Sequence, residues 1–363
     1  MVLLHLLRWL NSSQPQITCD VLTLNGGAIE SEFKELSCDF YNYKEITKQK
    51  KLKLWQRFFL KIGWFKRTNH EVNLVSELSN NNYQIVYANT ILSVQLAHEL
   101  VSKNKNIRFI AHVHELNTVI KINMPNFDNY TSLIDQFIVP SQLVKKNLIK
   151  NRAIQEDKID VVYECALTDI DNKKQVVLKE EKVFTIGASG TVDWRKGHDV
   201  FIQLARYLDS NYDISNFKFI WVGHIKLQDQ IILEEDIEKL GLKEKVIFVG
   251  EQENPSNYFK DFDVFVMTSR EDPFPLVCIE VGMLGKPIIS FDKAVGTNEV
   301  LKNGGGFIVP YLNIEAMVEK IMEYYTNSVL LEAHGEINKT VFSQFTPELI
   351  CPQLFSILQK HIK

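Results

Sequence analysis

Along roughly the first 160 residues, short apolar runs alternate with longer amphipathic ones. VLTLN (21–25), QIVYA (84–88), RFIAHVHE (108–115), QFIVPS (136–141) and KIDVVYE (158–164) are rich in β-branched and aromatic residues and stop at polar or glycine positions. That pattern predicts short strands. Between them, 29–36, 91–103 and SQLVKKNLIK (141–150) carry helical spacing. The start, MVLLHLLRWLN, sets Leu3, Leu4, Leu6, Leu7 and Leu10 on a helical stripe broken by His5 and Arg8. It has neither a basic leading region nor a small-residue cleavage site, so an amphipathic helix is expected there rather than an export signal.

The second half repeats the rhythm. VFTIGASG (183–190), KFIWVGH (218–224), KVIFVG (245–250), DVFVMTS (263–269), PIISF (287–291) and FIVP (307–310) read as strands. Helices are predicted over 197–209, 229–240, 276–285, 297–302 and 314–326, with a last one at about 346–362. Apolar strands each followed by a loop and a helix describe parallel sheets covered on both faces. Two such sets predict an α/β chain of two Rossmann-like, doubly wound domains. The expected boundaries are 1–165 for the first domain, 166–181 for a polar linker and 182–344 for the second domain. Residues 345–363 form a last helix packing back toward the first domain. A doubly wound domain usually opens with a strand and a glycine-bearing loop. Here the pattern opens inside a helix, so the first domain is expected to lack its first strand.

Composition narrows the partners. The net charge of −4 carries no whole-chain nucleic-acid signal, so a basic patch must be local. The five cysteines are odd in number and never paired as CxxC, which suits a reducing cytosol and argues against a zinc framework. One local patch stands out. KEITKQKKLKLWQRFFLKIGWFKR (44–67) holds nine Lys or Arg and one acid, interleaved with Trp55, Phe58, Phe59, Trp64 and Phe65. That composition fits an anionic membrane surface, with a core-packed helix as the bland alternative. No nucleic-acid fold accompanies it.

In open α/β sheets, ligands bind beyond the carboxyl ends of the strands. GASGTVDWRKGHD follows strand 183–187; its Gly187 and Gly190 allow close backbone approach, and Arg195 and Lys196 bring positive charge suited to phosphate. The alternative is a solvated turn. In SREDPFPLVCIEVGMLGKPII (269–289), Glu271 and Asp272 stand just past a strand, two prolines stiffen the loop, and a helix opens near Leu276. Free N–H groups at such a helix start attract anions or hydroxyls. Glu280, one turn in, suits a ribose diol or an internal ion pair, and Asp272 a ligand or a helix cap. Glu299 opens another helix beside these loops and is read as a ligand contact or a cap. His112 and His114 share one strand face, which allows a metal pair, but no third ligand is evident. Asp261-x-Asp263 reads as a helix end, and Asp169-x-Asp171 falls in the linker.

The spacing Asp272-x7-Glu280 followed by Gly285-Lys286-Pro287 resembles the E-x7-E signature of retaining GT-B glycosyltransferases of family four. TVDWRKGHDVFIQLA resembles that family's donor-phosphate loop, KVIFVGEQENPSNYFKDFDVFVMTSRED its base-binding segment, AHVHE the strand end facing the reacting sugar, and FIVPSQLVKKNL the last strand and helix of the N-terminal domain. This sequence departs in carrying Asp272 where the family usually has Glu, with Glu271 one residue earlier.

The resemblance implies a GT-B fold, in which the two domains face a cleft, and transfer of a sugar from a nucleotide-sugar donor to a glycan or lipid-linked acceptor in cell-surface polysaccharide synthesis. It implies that Arg195 and Lys196 neutralise the diphosphate and that Glu280 holds the ribose. Asp272 or Glu271, with the N–H groups of Phe274, Pro275, Leu276 and Val277, would hold the sugar. Gly190 would approach the donor, Gly250 would lie by the base, and His114 would line the cleft. The leaving phosphate would help deprotonate the acceptor. No cofactor and no metal are expected to be required, and the expected location is cytoplasmic, peripheral on the inner face of the membrane. Alternatives are a non-catalytic GT-B subunit and a nucleotide-sugar epimerase.

Overall fold

The computed structural model describes residues 2–48, 70–167 and 183–362. Most of the basic aromatic stretch and most of the linker lie outside the described residues. Among those described, all strand pairing is parallel. β1 (Val21–Thr23) pairs with β2 (Phe40–Asn42) as a small sheet. β3 (Ile85–Asn89), β4 (Arg108–His112), β5 (Gln136–Val139) and β6 (Ile159–Val161) form a second sheet in sequence order.

The third sheet is built from β7 (Phe184–Ser189), β8 (Phe217–Val222), β9 (Val246–Phe248), β10 (Val264–Met267), β11 (Ile288–Phe291) and β12 (Gly306–Val309). Its order is β12-β11-β10-β7-β8-β9. The chain therefore starts in the middle, runs to one edge, then crosses to the other side of β7. That reversal opens a crevice at the carboxyl ends of β7 and β10, where ligands of such sheets bind.

β10 and β11 are buried at every position and β7 at all but its last, as continuous apolar runs covered on both faces must be. Phe265, Phe219 and Trp221 fill the third sheet's core, and Phe109, Phe127 and Phe137 fill that of the second. The strand expected over 108–115 ends at His112, leaving His114 beyond the ladder. The first helix, Val2–Ser13, and the last, Pro347–Gln359, pack together, with the rings of Trp9 and Phe355 5.6 Å apart. Among the elements not anticipated are β2 and the helices His70–Asn80, Asn117–Asn123 and Ser328–Phe342. No helix among the described residues is long and apolar enough to cross a membrane.

Candidate active site

A cleft of about 510 Å³ lies where the carboxyl ends of the second and third sheets face one another. From the third sheet it is lined by Ser189, Gly190, Arg195, Lys196 and the run from Glu271 to Val277. His114, Glu115, Leu116, Val119 and Glu164 line the opposite wall, with Val2 of the first helix. Twelve sequence-derived positions are thereby sorted. His114, Gly190, Arg195, Lys196, Glu271, Asp272, Phe274, Pro275, Leu276 and Val277 meet in the cleft, while Gly250 and Glu280 do not line it.

The loop after β7 uses its glycines differently. A side chain on Gly187 would put Cβ 2.0 Å from the Phe262 ring, so this glycine serves packing rather than ligand approach. Gly190 has φ +147°, and its backbone runs close under the Lys196 stem. It is the cleft glycine that a side chain would strain. Lys196 and Arg195 then reach the acid expected to hold a sugar. Lys196 Nζ lies 2.6 Å from Asp272 Oδ2 and Arg195 NH1 3.4 Å from Oδ1. Ser269 Oγ donates to Oδ2 at 3.1 Å. Asp272 is 3% exposed, so this buried carboxylate is satisfied by charge and hydrogen bonds. Its backbone is pinned by N–H donation to Ala294 O at 2.7 Å.

Glu271 points elsewhere. Its Oε1 accepts from Thr118 N at 3.3 Å, across the cleft, while its carbonyl accepts from Arg195 NH1 at 3.1 Å. The adjacent acids thus divide: Asp272 meets the cations and Glu271 the opposite helix Asn117–Asn123. The helix Leu276–Met283 opens without a side-chain cap. The N–H groups of Phe274, Leu276 and Val277 find no partner among the described residues. Pro275, expected to stand with them, has no N–H to offer. Glu280 sits one turn further on, and burial raises its pKa above the usual carboxylate value.

The opposite wall holds a network that only partly showed in the sequence. His114 Nδ1 lies 2.7 Å from Glu164 Oε1 and Nε2 3.0 Å from Asn89 Oδ1. Burial pushes the His114 pKa down, but the Glu164 carboxylate more than reverses this by charge and hydrogen bond, and the net shift is upward. His112, whose ring centroid is 3.9 Å from that of His114, shares a hydrogen bond from Nδ1 with the Tyr87 hydroxyl. Burial and the charge of His114 hold His112 well below its ordinary value. Glu164 is the third potential metal ligand that was not evident in the sequence. Together, His112, His114 and Glu164 offer ligand atoms all within 4.8 Å of one another.

Sequence reasoning missed Asn89, Tyr87 and Glu164. Tyr87 lies in the middle of β3, Asn89 at its end and Glu164 just past β6, and only strand order brings them to His112 and His114. Glu299, read as a ligand contact or a cap, caps a helix of the other half. Its two oxygens accept from Gln142 N at 3.0 and 3.2 Å, at the start of Gln142–Arg152.

Residues 169–341 match the family described as Glycosyl transferases group 1. The capsular polysaccharide biosynthesis glycosyltransferase CapM of Staphylococcus aureus is 23% identical over 240 residues, 62% of each chain. A second relative, from Campylobacter jejuni, is 23% identical over 244 residues, 63% of this chain and 64% of its own. Its name is N-acetylgalactosamine-N,N'-diacetylbacillosaminyl-diphospho-undecaprenol 4-alpha-N-acetylgalactosaminyltransferase. The chain thus matches less than two thirds of either relative's length. HepE of Anabaena, solved with UDP and glucose, superposes with a TM-score of 0.77 at 17% identity, covering 98% of this chain and 95% of its own. This likeness establishes the fold, which is GT-B.

Proposed function

We propose that this chain, whose residues 169–341 belong to the glycosyl transferases group 1 family, moves a sugar from a nucleotide-sugar donor onto a glycan or lipid-linked acceptor in cell-surface polysaccharide synthesis. One observation carries the reading. At the switch point of the third sheet, the cations after β7 and the open helix start after β10 converge on one cleft. Arg195 and Lys196 would bind the diphosphate, exchanging part of their hold on Asp272 for it. Asp272 and the N–H groups of Phe274, Leu276 and Val277 would hold the sugar, and Glu280 the ribose. HepE was solved with UDP and glucose, and the Campylobacter relative is named for a lipid-diphosphate acceptor; both support a donor and acceptor of these classes.

The transfer is retaining in this reading. The bond from the anomeric carbon to the phosphate oxygen breaks as the acceptor oxygen bonds to the same face, and the acceptor proton passes to the departing phosphate. Fixed positive charge on the leaving group is then the main catalytic term, of a kind worth about 3–4 kcal/mol per donor removed. Because two side chains supply that charge, no metal is required. The basic aromatic composition of 44–67, of which 49–67 lie outside the described residues, supports contact with the inner, anionic membrane face.

Calorimetric titration with UDP, GDP, ADP and their sugar conjugates tests the reading. One nucleotide should bind to the wild type, and the binding should be lost in Lys196→Ala and Glu280→Ala. Transfer assayed with the preferred donor should quicken when anionic vesicles are added. No binding of any nucleotide would sink the transferase reading and leave a partner-binding GT-B subunit.

A further inference from the structure

The wall facing the cations holds two buried polar atoms that no described residue satisfies. Among the described residues, His112 Nε2 and Glu164 Oε2 have no hydrogen-bond partner, in residues 1% and 5% exposed. Leaving such an atom unpaired costs about 1–3 kcal/mol, and native structures rarely keep two together without an occupant. Both belong to the His112, His114 and Glu164 group. The remaining ring nitrogens are held as a metal site holds its ligands from outside. His112 Nδ1 meets the Tyr87 hydroxyl and His114 Nε2 meets Asn89 Oδ1. If His112 Nδ1–H donates to the Tyr87 oxygen, the Nε2 lone pair is left free. Second partners of this kind fix the ring and its tautomer for a metal.

We propose that His112 Nε2, His114 Nδ1 and Glu164 form a three-ligand site for a divalent transition-metal ion of the zinc class. Two imidazoles and one carboxylate are a donor set zinc accepts in sites that keep a fourth position open. The metal replaces the proton now shared between His114 Nδ1 and Glu164 Oε1, and that proton leaves to solvent. Bonds of about 2.0–2.2 Å put tetrahedral ligands about 3.4 Å apart. The ligand atoms, now within 4.8 Å of one another, must draw together by up to about 1.4 Å to hold the ion. His114 and Glu164 line the cleft, so the fourth position faces it. Occupancy would take His114 away from a bound sugar and slow transfer. That consequence rests on the proposed activity; metal binding does not.

The test uses the tag-free full chain after chelator treatment, titrated with zinc chloride by calorimetry and with cobalt(II) by visible absorption. One equivalent should bind, with cobalt giving the intense bands of a four-coordinate site. His112→Gln and Glu164→Gln should each weaken zinc binding at least tenfold and abolish the cobalt bands. Tyr87→Phe, which keeps all three ligands, should weaken it by about 10–100-fold. Circular dichroism identifies any variant that fails to fold, and Tyr87→Phe then carries the comparison. No saturable uptake by the wild type, or uptake unchanged in the ligand variants, would overturn the site and leave a polar network that only orients His114. A chain that binds zinc here but no nucleotide would keep this proposal and refute the transferase reading.

Discussion

Asp272 and Glu271 show how one peptide bond separates two roles. Asp272 lies between Lys196 and Arg195, and Glu271 reaches the opposite wall at Thr118. The acids, the cations and the prolines that stiffen their loop were legible because each set lies on one short stretch of chain. His114 was legible too, but its control was not. Glu164 lies 50 residues downstream, and the two meet only because β4, β5 and β6 stand side by side. Glu164 has a testable effect on proton affinity. Burial alone lowers a histidine pKa; here Glu164 turns the net shift upward from 6.5. A raised folded value means that the pair contributes stability below pH 6.5 and loses it as pH rises through the folded value. In Glu164→Gln, the midpoint of the His114 ring-proton titration, followed by NMR, should fall below 6.5, because burial then dominates. A midpoint that stays raised would mean that Glu164 is not what charges His114.

At the scale of elements, the strands that were easiest to read are the ones buried on both faces, since a short unbroken apolar run between turn residues fits a strand covered on each side. β2 is three residues long and half-buried, with too little pattern to read. The helix Ser328–Phe342 was missed for a different reason. Its buried positions are Gly335, Asn338 and Phe342, so much of the contact face is a glycine and an amide rather than an apolar stripe. Gly335 lets the helix backbone approach Gly285, and a Cβ there would lie 2.4 Å from the Gly285 carbonyl. Asn338, 1% exposed, donates to Lys286 O at 2.7 Å and Gly305 O at 2.6 Å. Those carbonyls lie just ahead of β11 and β12, so one side chain ties two strand entrances to the helix. Asn338→Ala removes both bonds in the interior and should cost about 2–3 kcal/mol. Urea unfolding should show a lower midpoint with an unchanged slope. A cost below about 0.5 kcal/mol, the scale of an ordinary surface change, would show that the helix holds by packing alone.

For the whole molecule, the cleft lies where two halves meet, and polar contacts help to join them. Ser141 Oγ donates to Pro273 O at 2.7 Å, Gln142 N to Glu299 at 3.0 Å, and Tyr163 Oη to Glu299 at 3.4 Å. The facing of the two domains was expected from the family resemblance, but these pairs could not be read from residue order, because each joins segments more than 130 positions apart. Apolar contacts join the seam as well: Tyr163 packs against Phe274 and Phe345, with ring centroids 5.0 and 5.5 Å apart, in a buried cluster that draws on both halves. The polar contacts of the seam can be exchanged for water if the halves separate, so they are the ones a single substitution can tip. Glu299 sets a negative charge at the open end of Gln142–Arg152, an interaction worth about 0.3–1 kcal/mol, and up to ~2 when partly buried. Removing about 1 kcal/mol from the closed arrangement shifts its ratio to an open one roughly fivefold. Small-angle scattering of Glu299→Ala without ligand should therefore give a larger radius of gyration than the wild type. A nucleotide donor gripping both walls should bring the two back to the same value. If the variant scatters like the wild type from the start, apolar contacts such as Phe274 with Tyr163 hold the halves, and Glu299 serves only the helix it caps.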